Sequence, residues 1–267
     1  MQQWLEALIL GLVEGLTEFL PVSSTGHLII GGQLLGFDSD MAPTFEVCIQ
    51  LGAILAVVFL YWPRFLALFN FKQDRGFSGL RAWGLLAVTS FPASLMGLLT
   101  HDYIETNLFN PVTVAWALLV GGIILLFIER VIGRFKPEPT TGLDNLTFKD
   151  AAIVGVFQCF SLWPGMSRSA STIIGGMVSG LDRKTAAEFS FIAAVPIMVL
   201  ATAYVFAKHL GDMSSADMQM LGLGFVVSLV SAVLAVKAFV GFLQRHALWW
   251  FGVYRIVVAV LCFWLFL

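Results

Sequence analysis

Apolar stretches of about 20 residues, each long enough to cross a bilayer as a helix, recur along the chain. Five are Ala42–Pro63, Ala82–His101, Pro111–Ile132, Thr185–Lys208 and Met218–Phe239. A sixth, Ala247–Leu267, is interrupted by Arg255. Two further regions break the pattern. Residues 1–36 carry Glu6, Glu14, Glu18 and His27 around a central Pro21-Val-Ser-Ser-Thr-Gly26, and residues 148–180 are centred on Pro164-Gly-Met-Ser-Arg-Ser169. Clusters of Pro, Gly and Ser end a helix where they fall, which leaves each half too short to span. The expected element is a hairpin that enters and leaves by one face. The polar junction Gly133–Thr147 reads as a solvated loop, and Thr147-Phe-Lys-Asp150 and Ser214-Ser-Ala-Asp217 read as capping boxes.

The junction lies near the middle of the chain, and the two halves resemble one another. At an offset of 144 residues Gly11 meets Gly155, Glu14 meets Gln158, Thr17 meets Ser161 and Phe19 meets Trp163. After a one-residue gap Pro21 meets Pro164 and Ser24 meets Ser167, and Glu46 later meets Glu188. Basic residues alternate between connections in the way that sets membrane orientation. Arg64, Lys72, Arg75 and Arg81 follow the first crossing, and residues 102–110 hold none. Arg130, Arg134, Lys136 and Lys149 come next, then Arg183 and Lys184, a lone Lys208, and Lys237 with Arg245. Six crossings and two non-crossing hairpins reproduce this alternation and place the hairpins on opposite faces, with their tips meeting near the midplane. The expected fold is therefore an all-α polytopic membrane protein with an inverted-topology repeat, six full transmembrane helices and two re-entrant helical hairpins. A single membrane domain covers 1–267, with repeat 1 over 1–132 (hairpin 1–36) and repeat 2 over 148–267 (hairpin 148–180).

Composition agrees. Hydrophobic residues make up 58% of the 267 and charged residues 12%, too few charges to cover a soluble domain of this size. Mean hydropathy is +0.88. Fifteen Lys and Arg against 17 Asp and Glu leave no basic excess, which excludes nucleic acid as a partner. Cys48, Cys159 and Cys262 are far apart in apolar surroundings and read as small buried hydrophobes. The opening Met1-Gln-Gln-Trp-Leu-Glu has no basic stretch or cleavage site, so no cleavable leader is expected.

Charge is therefore most informative where it is misplaced. Glu14 and Glu18 stand four residues apart on one helical face, amid apolar neighbours. A charge at bilayer depth costs at least about 2.5–3.5 kcal/mol and is a functional hypothesis by default. A divalent cation, Mg²⁺ or Ca²⁺, reconciles two such carboxylates, and both ions take oxygen ligands. Ser23, Ser24, Thr25 and Gly26 open the next helix, where hydroxyls cap and free N–H groups attract anions. His27, three residues after Ser24, is either a helix-contact residue or a proton carrier. In the second tip, Gly165, Ser167, Arg168, Ser169 and Thr172 form a hydroxyl-rich helix start around an arginine whose planar fork matches phosphate. Arg168 is alternatively the ion-pair partner of Glu14 or Glu18. Glu46, Gln50 and Glu188 are candidates to extend the site, and Arg255 is expected to snorkel or to make a structural pair. A phosphate site at this depth implies a lipid phosphate. A lipid transporter and a non-catalytic phosphate-binding protein are the competing classes.

The runs Glu14-Gly-Leu-Thr-Glu-Phe-Leu-Pro-Val-Ser-Ser-Thr-Gly-His27 and Pro164-Gly-Met-Ser-Arg-Ser-Ala-Ser-Thr172, with Phe45-Glu46 and Ile49-Gln50-Leu-Gly-Ala53, resemble the signature motifs of the undecaprenyl pyrophosphate phosphatase, or bacitracin resistance protein, family. The resemblance covers essentially the whole chain. It implies hydrolysis of undecaprenyl diphosphate to undecaprenyl phosphate and inorganic phosphate, recycling the lipid carrier of peptidoglycan synthesis. It also implies a divalent cation, bacitracin resistance, and a site facing the periplasm from the bacterial inner membrane. Carried over by motif position, Glu14 and Glu18 are metal ligands, and Glu18, Ser24, His27 and Arg168 are catalytic, with Ser167 at the site. The expected partners are a polyprenyl diphosphate and membrane lipids, with a homodimer left open.

Overall fold

The computed structural model describes residues 2–37, 42–72, 75–133, 139–209 and 215–267. Eleven α-helices account for most of them. The first hairpin is α1 (Gln2–Thr17) and α2 (Ser24–Leu35), followed by α3 (Ala42–Leu60) and a short α4 (Trp62–Ala67). Then come α5 (Gly79–Asn107) and α6 (Pro111–Ile132). The second hairpin is α7 (Phe148–Gln158), a 3-10 turn at Cys159–Leu162 and α8 (Arg168–Ser179). The chain closes with α9 (Arg183–His209), α10 (Ser215–Leu243) and α11 (Trp249–Phe266).

Both breaks fall at the expected Pro-Gly-Ser clusters. Five helices among the described residues are long and apolar enough to cross a membrane: Gly79–Asn107, Pro111–Ile132, Arg183–Ala203, Met218–Leu243 and Trp249–Phe266. The first expected crossing ends at Leu60 instead of Pro63, because Pro63 sits in the first turn of a new helix and the chain turns at Tyr61. The capping box at Thr147 forms as expected, with Asp150 Oδ2 accepting from the Thr147 N–H at 2.9 Å and Thr147 Oγ1 accepting from the Asp150 N–H at 3.2 Å. The side chains of Ser214–Asp217, and residues 134–138 of the junction, lie outside the described residues.

Packing follows small residues. α1 lies along α10, and a Cβ on Gly15 would meet Ser231 Oγ at 2.1 Å, so only glycine permits this backbone approach. α10 in turn packs on α3, α11 on α6, and α7 on α5 and α8. The main core gathers Phe19, Phe191 and Phe239 with side chains of α3, α5, α9 and α10; Phe19 meets Phe191 edge-on at 5.2 Å. Large apolar side chains also face outward, Leu98 at 81% exposure and Trp264 at 79% among them, as a lipid-facing surface requires.

At one end of the bundle Asp144 clamps the connection into α5. It accepts from the Phe77 N–H at 2.9 Å and from Arg64 Nη1 at 2.9 and 3.1 Å. The Phe77 N–H, with Arg64 beside it, holds the Asp144 carboxyl below the usual aspartate range. A depressed carboxyl contributes stability above its ordinary titration range, and that contribution disappears as pH falls through the lowered value. Asp144→Asn is therefore expected to lower the thermal midpoint slightly at neutral pH, by under about 1 kcal/mol because the pair is solvent-screened. The gap between variant and parent should close on acidification. Thermal denaturation of both proteins from neutral to acid pH checks it, and a gap that persists in acid contradicts the clamp.

Candidate active site

The two tips are built alike. Ser23 precedes α2 and Ser167 precedes α8, each at positive φ (72° and 74°), and among the described residues they alone do so without being glycine. Each hydroxyl accepts from the amide three residues on, Gly26 N–H at 3.2 Å and Ala170 N–H at 3.1 Å. Both helices are 12 residues long and end on a left-handed glycine, Gly36 and Gly180. The structure thus pairs Ser23 with Ser167, at the undisturbed offset of 144, rather than Ser24 with Ser167. A non-glycine residue at such φ costs of order 1–3 kcal/mol, while Ser-to-Gly at a cap costs only a few tenths. At either position the Gly variant should therefore be more stable than the Ala variant, which keeps the strain and loses the cap, by about 1 kcal/mol or more. Thermal unfolding of Ser23→Gly against Ser23→Ala, and of the same pair at 167, tests the order. An Ala variant equal to its Gly counterpart refutes the strain.

Between the tips lies a cavity of about 270 Å³, adjoining a wider vestibule of about 950 Å³ with which it shares Thr25, Ser94, Ser161 and Pro164. Glu18, Ser23, Ser24, Thr25, Gly165, Ser167 and Arg168 all line it. Glu18 is the hub. Its Oε2 accepts from Ser24 Oγ at 2.5 Å and its Oε1 from Arg168 Nη2 at 3.0 Å. Arg168 Nη1 donates to the Ser190 carbonyl at 3.1 Å, its guanidinium carbon sits 5.7 Å from the centre of the Phe19 ring, and its Nε has no acceptor among the described residues. One carboxylate thus joins the hydroxyl of tip 1 to the cation of tip 2, and Arg168 is an ion-pair partner as well as a cavity wall.

Other expected members stand elsewhere. His27 does not reach Ser24: its Nδ1 bonds the Ser23 carbonyl at 2.7 Å and its Nε2 the Tyr254 hydroxyl at 2.7 Å, so both ring nitrogens are engaged away from the cavity. The helix turn that follows Ser23 carries position 27 to the α11 side. Ser169 and Thr172 are wholly or almost wholly buried and serve tip architecture instead of facing the cavity. Ser169 Oγ donates to the Leu20 carbonyl of tip 1 at 2.7 Å, and Thr172 Oγ1 shares a 2.6 Å hydrogen bond with Ser190 Oγ. Gly26 packs toward Val114. Glu14 is wholly buried behind the lining, and its oxygens have no hydrogen-bond donor among the described residues; the Glu18 carboxyl beside it, Glu46 and Arg168 are the charges acting on it. Glu188 joins Lys184, at 3.9 Å, and the Tyr61 hydroxyl instead of the site.

Some functional positions carried little sequence signal. Gln158, Ser161 and Ser94 join Gln50 in the lining. Pro92 and Pro196 interrupt α5 and α9 just before Ala93, Ser94, Ile197 and Met198, which also line it. Arg255 neither snorkels nor pairs with a carboxylate. It is wholly buried, and it donates to backbone carbonyls of both tips and α6.

Known proteins resemble this chain along nearly its whole length. Undecaprenyl-diphosphatase of Maridesulfovibrio salexigens is 56% identical over 260 residues, covering 97% of each chain. The protein of that name from Oleidesulfovibrio alaskensis is 53% identical over 99% of this chain and 100% of its own. The one from Desulfovibrio desulfuricans is 52% identical over 97% of each. The profile of the family described as bacitracin resistance protein BacA matches residues 7–261, a span that includes both tips and most of α11, and this chain belongs to that family.

Proposed function

We propose that this protein is a multi-pass membrane phosphatase that hydrolyses undecaprenyl diphosphate to undecaprenyl phosphate and inorganic phosphate, and so confers bacitracin resistance. The observation that carries the reading is the Ser24–Glu18–Arg168 linkage on the wall of a cavity between two broken helices. Family membership and relatives above 50% identity named undecaprenyl-diphosphatase support the substrate. Ser24 Oγ attacks the terminal phosphorus, its proton passes to Glu18 Oε2, and the bond to the prenyl monophosphate breaks, the departing monophosphate taking that proton from Glu18. Water then attacks the phosphoserine; Glu18 takes a proton from the water and returns it to Ser24 Oγ as the P–O bond breaks, and inorganic phosphate leaves. Arg168 and the first-turn amides of α8 stabilise the charge on the transferred group. His27 is not needed for either step.

The donor set fits a divalent cation. Glu14 offers two buried oxygens with no hydrogen-bond donor among the described residues, whereas each oxygen of Glu18 already accepts one hydrogen bond. No cluster of three His, Cys, Asp or Glu exists among the described residues, so substrate oxygens and water would complete the shell, as Mg²⁺ allows. Glu14 is therefore the principal candidate ligand of the two carboxylates the sequence offered. A bound cation would neutralise charge on the diphosphate.

The wider reading keeps six crossings, two re-entrant hairpins and an inverted repeat in the inner membrane. The matched Ser23 and Ser167 turns and the 12-residue lengths of α2 and α8 support the repeat. Placing Arg64, Arg81, Arg183 and Arg245 in the cytoplasm turns the vestibule to the periplasm.

Purified protein in detergent, given a long-chain prenyl diphosphate labelled on its terminal phosphate, should release labelled phosphate. Detergent removes sidedness, so this release is not transport. Rapid acid quench should trap label on Ser24. Turnover that persists in Ser24→Ala, with no label trapped in the parent, would assign the attack to water.

A further inference from the structure

We propose that Arg255 is a positioning residue for the phosphoryl site, whose guanidinium holds both tips in register and turns the Ser167 N–H toward the transferred phosphate. The inference rests on the phosphatase reading above and extends it to a residue that lines none of the site.

Arg255 projects from α11 and is wholly buried. All five of its N–H donors have carbonyl acceptors. Nε reaches the Leu118 carbonyl at 3.3 Å, Nη1 those of Pro21 at 3.4 Å and Met166 at 2.8 Å, and Nη2 those of Ala117 at 3.0 Å and Gly165 at 2.8 Å. Pro21 belongs to tip 1, Gly165 and Met166 to tip 2, and Ala117 and Leu118 to α6. One rigid planar group thus references both breaks to a full-length helix. No carboxylate accepts from it among the described residues, so the cost of burying its charge is offset by carbonyl dipoles alone.

The orientation of those carbonyls matters for chemistry. No peptide bond in the described residues is cis, and a trans peptide directs its N–H opposite to its C=O. The Met166 carbonyl points at Arg255, so the N–H of the same peptide, on Ser167, points away from it. No acceptor among the described residues takes this N–H, and Ser167 lines the cavity beside Arg168. The positive charge of Arg255 therefore fixes the dipole that presents an unspent donor to an incoming oxyanion. The surroundings are shaped for the planar group, because a Cβ on Gly121 would stand 2.3 Å from Nη2. Lysine cannot substitute, since an ammonium offers three donors from a single atom.

The test uses full-length protein in detergent, with the folded fraction of each variant measured independently. Arg255→Lys removes the fork, and Gly121→Ala displaces it while keeping the residue. Affinity for methylene diphosphonate, a non-hydrolysable diphosphate, and kcat/KM for a prenyl diphosphate are both expressed per folded molecule. For Arg255→Lys we expect affinity to fall at least about tenfold and kcat/KM at least about 30-fold, with Gly121→Ala changing in the same direction. A purely structural role would lower the folded fraction and leave both quantities unchanged. Values within threefold of the parent in both variants, or losses matching the unfolded fraction, overturn the inference. A parent that binds the analogue but releases no phosphate refutes the phosphatase reading, and Arg255 is then judged on analogue affinity alone. A parent that does neither removes the phosphoryl site and overturns both.

Discussion

Arg168→Lys is expected to lower kcat/KM for a prenyl diphosphate at least about 100-fold, or roughly 2.7 kcal/mol of transition-state stabilisation, with the protein still folded. Charge is conserved in this variant, so the loss reports geometry. Arg168 places Nη2 on Glu18 Oε1 at 3.0 Å and Nη1 on the Ser190 carbonyl at 3.1 Å, and keeps Nε for another acceptor. Its plane also lies against Phe19. A lysine ammonium is a point donor that can serve Glu18 or a phosphate oxygen but does not span both with fixed orientation. Phosphate release by purified variant and parent, with thermal midpoints as a folding control, decides the matter. Activity within threefold of the parent would mean that Arg168 supplies only the ion pair.

Glu18→Gln should be costlier still, about a thousandfold or more in kcat, because it removes the proton acceptor and unbalances the tips at once. The carboxylate accepts from Ser24 Oγ at 2.5 Å and from Arg168 Nη2 at 3.0 Å. The amide keeps the shape, but it offers a single acceptor oxygen and cannot take a proton as a base. Groups that act as one unit are strongly non-additive, so Glu18→Gln combined with Ser24→Ala should be little worse than the poorer single variant. Losses that multiply in the double variant would show that the two residues act independently, and the Ser24–Glu18 proton transfer would be abandoned.

Arg168 and Glu18 were not equally legible in the chain. An arginine keeps its charge at any depth, and hydroxyls flanking it at an apolar helix start supply donors that suit an anion, so its importance followed from local pattern. The importance of Glu18 was legible as a carboxylate, but its assignment as cation ligand came from spacing, and spacing does not show which oxygens are already used. Glu14 and Glu18 look equivalent at i and i+4. In the structure one accepts from Ser24 and Arg168, residues 6 and 150 positions away, and the other has no donor among the described residues. His27 failed for a related reason. Three residues separate it from Ser24, yet the α2 turn directs it to Tyr254, which is 227 positions distant.

What the amino-acid sequence determined by itself is whatever depends on local patterning. Apolar runs set the long helices, proline and serine clusters set the two breaks, the basic connections set the expected orientation, and the motif residues set the family. Tertiary structure decided which polar groups meet. Hydrogen bonds between residues remote in the chain leave no periodic trace, and their cost or benefit depends on whether a buried group finds its partner. Arg255 is the clearest case. In sequence it is a single charge interrupting an apolar helix, read as one that snorkels to the interface or makes a structural pair. In space five carbonyls from three separate segments, both broken tips and α6, converge on it.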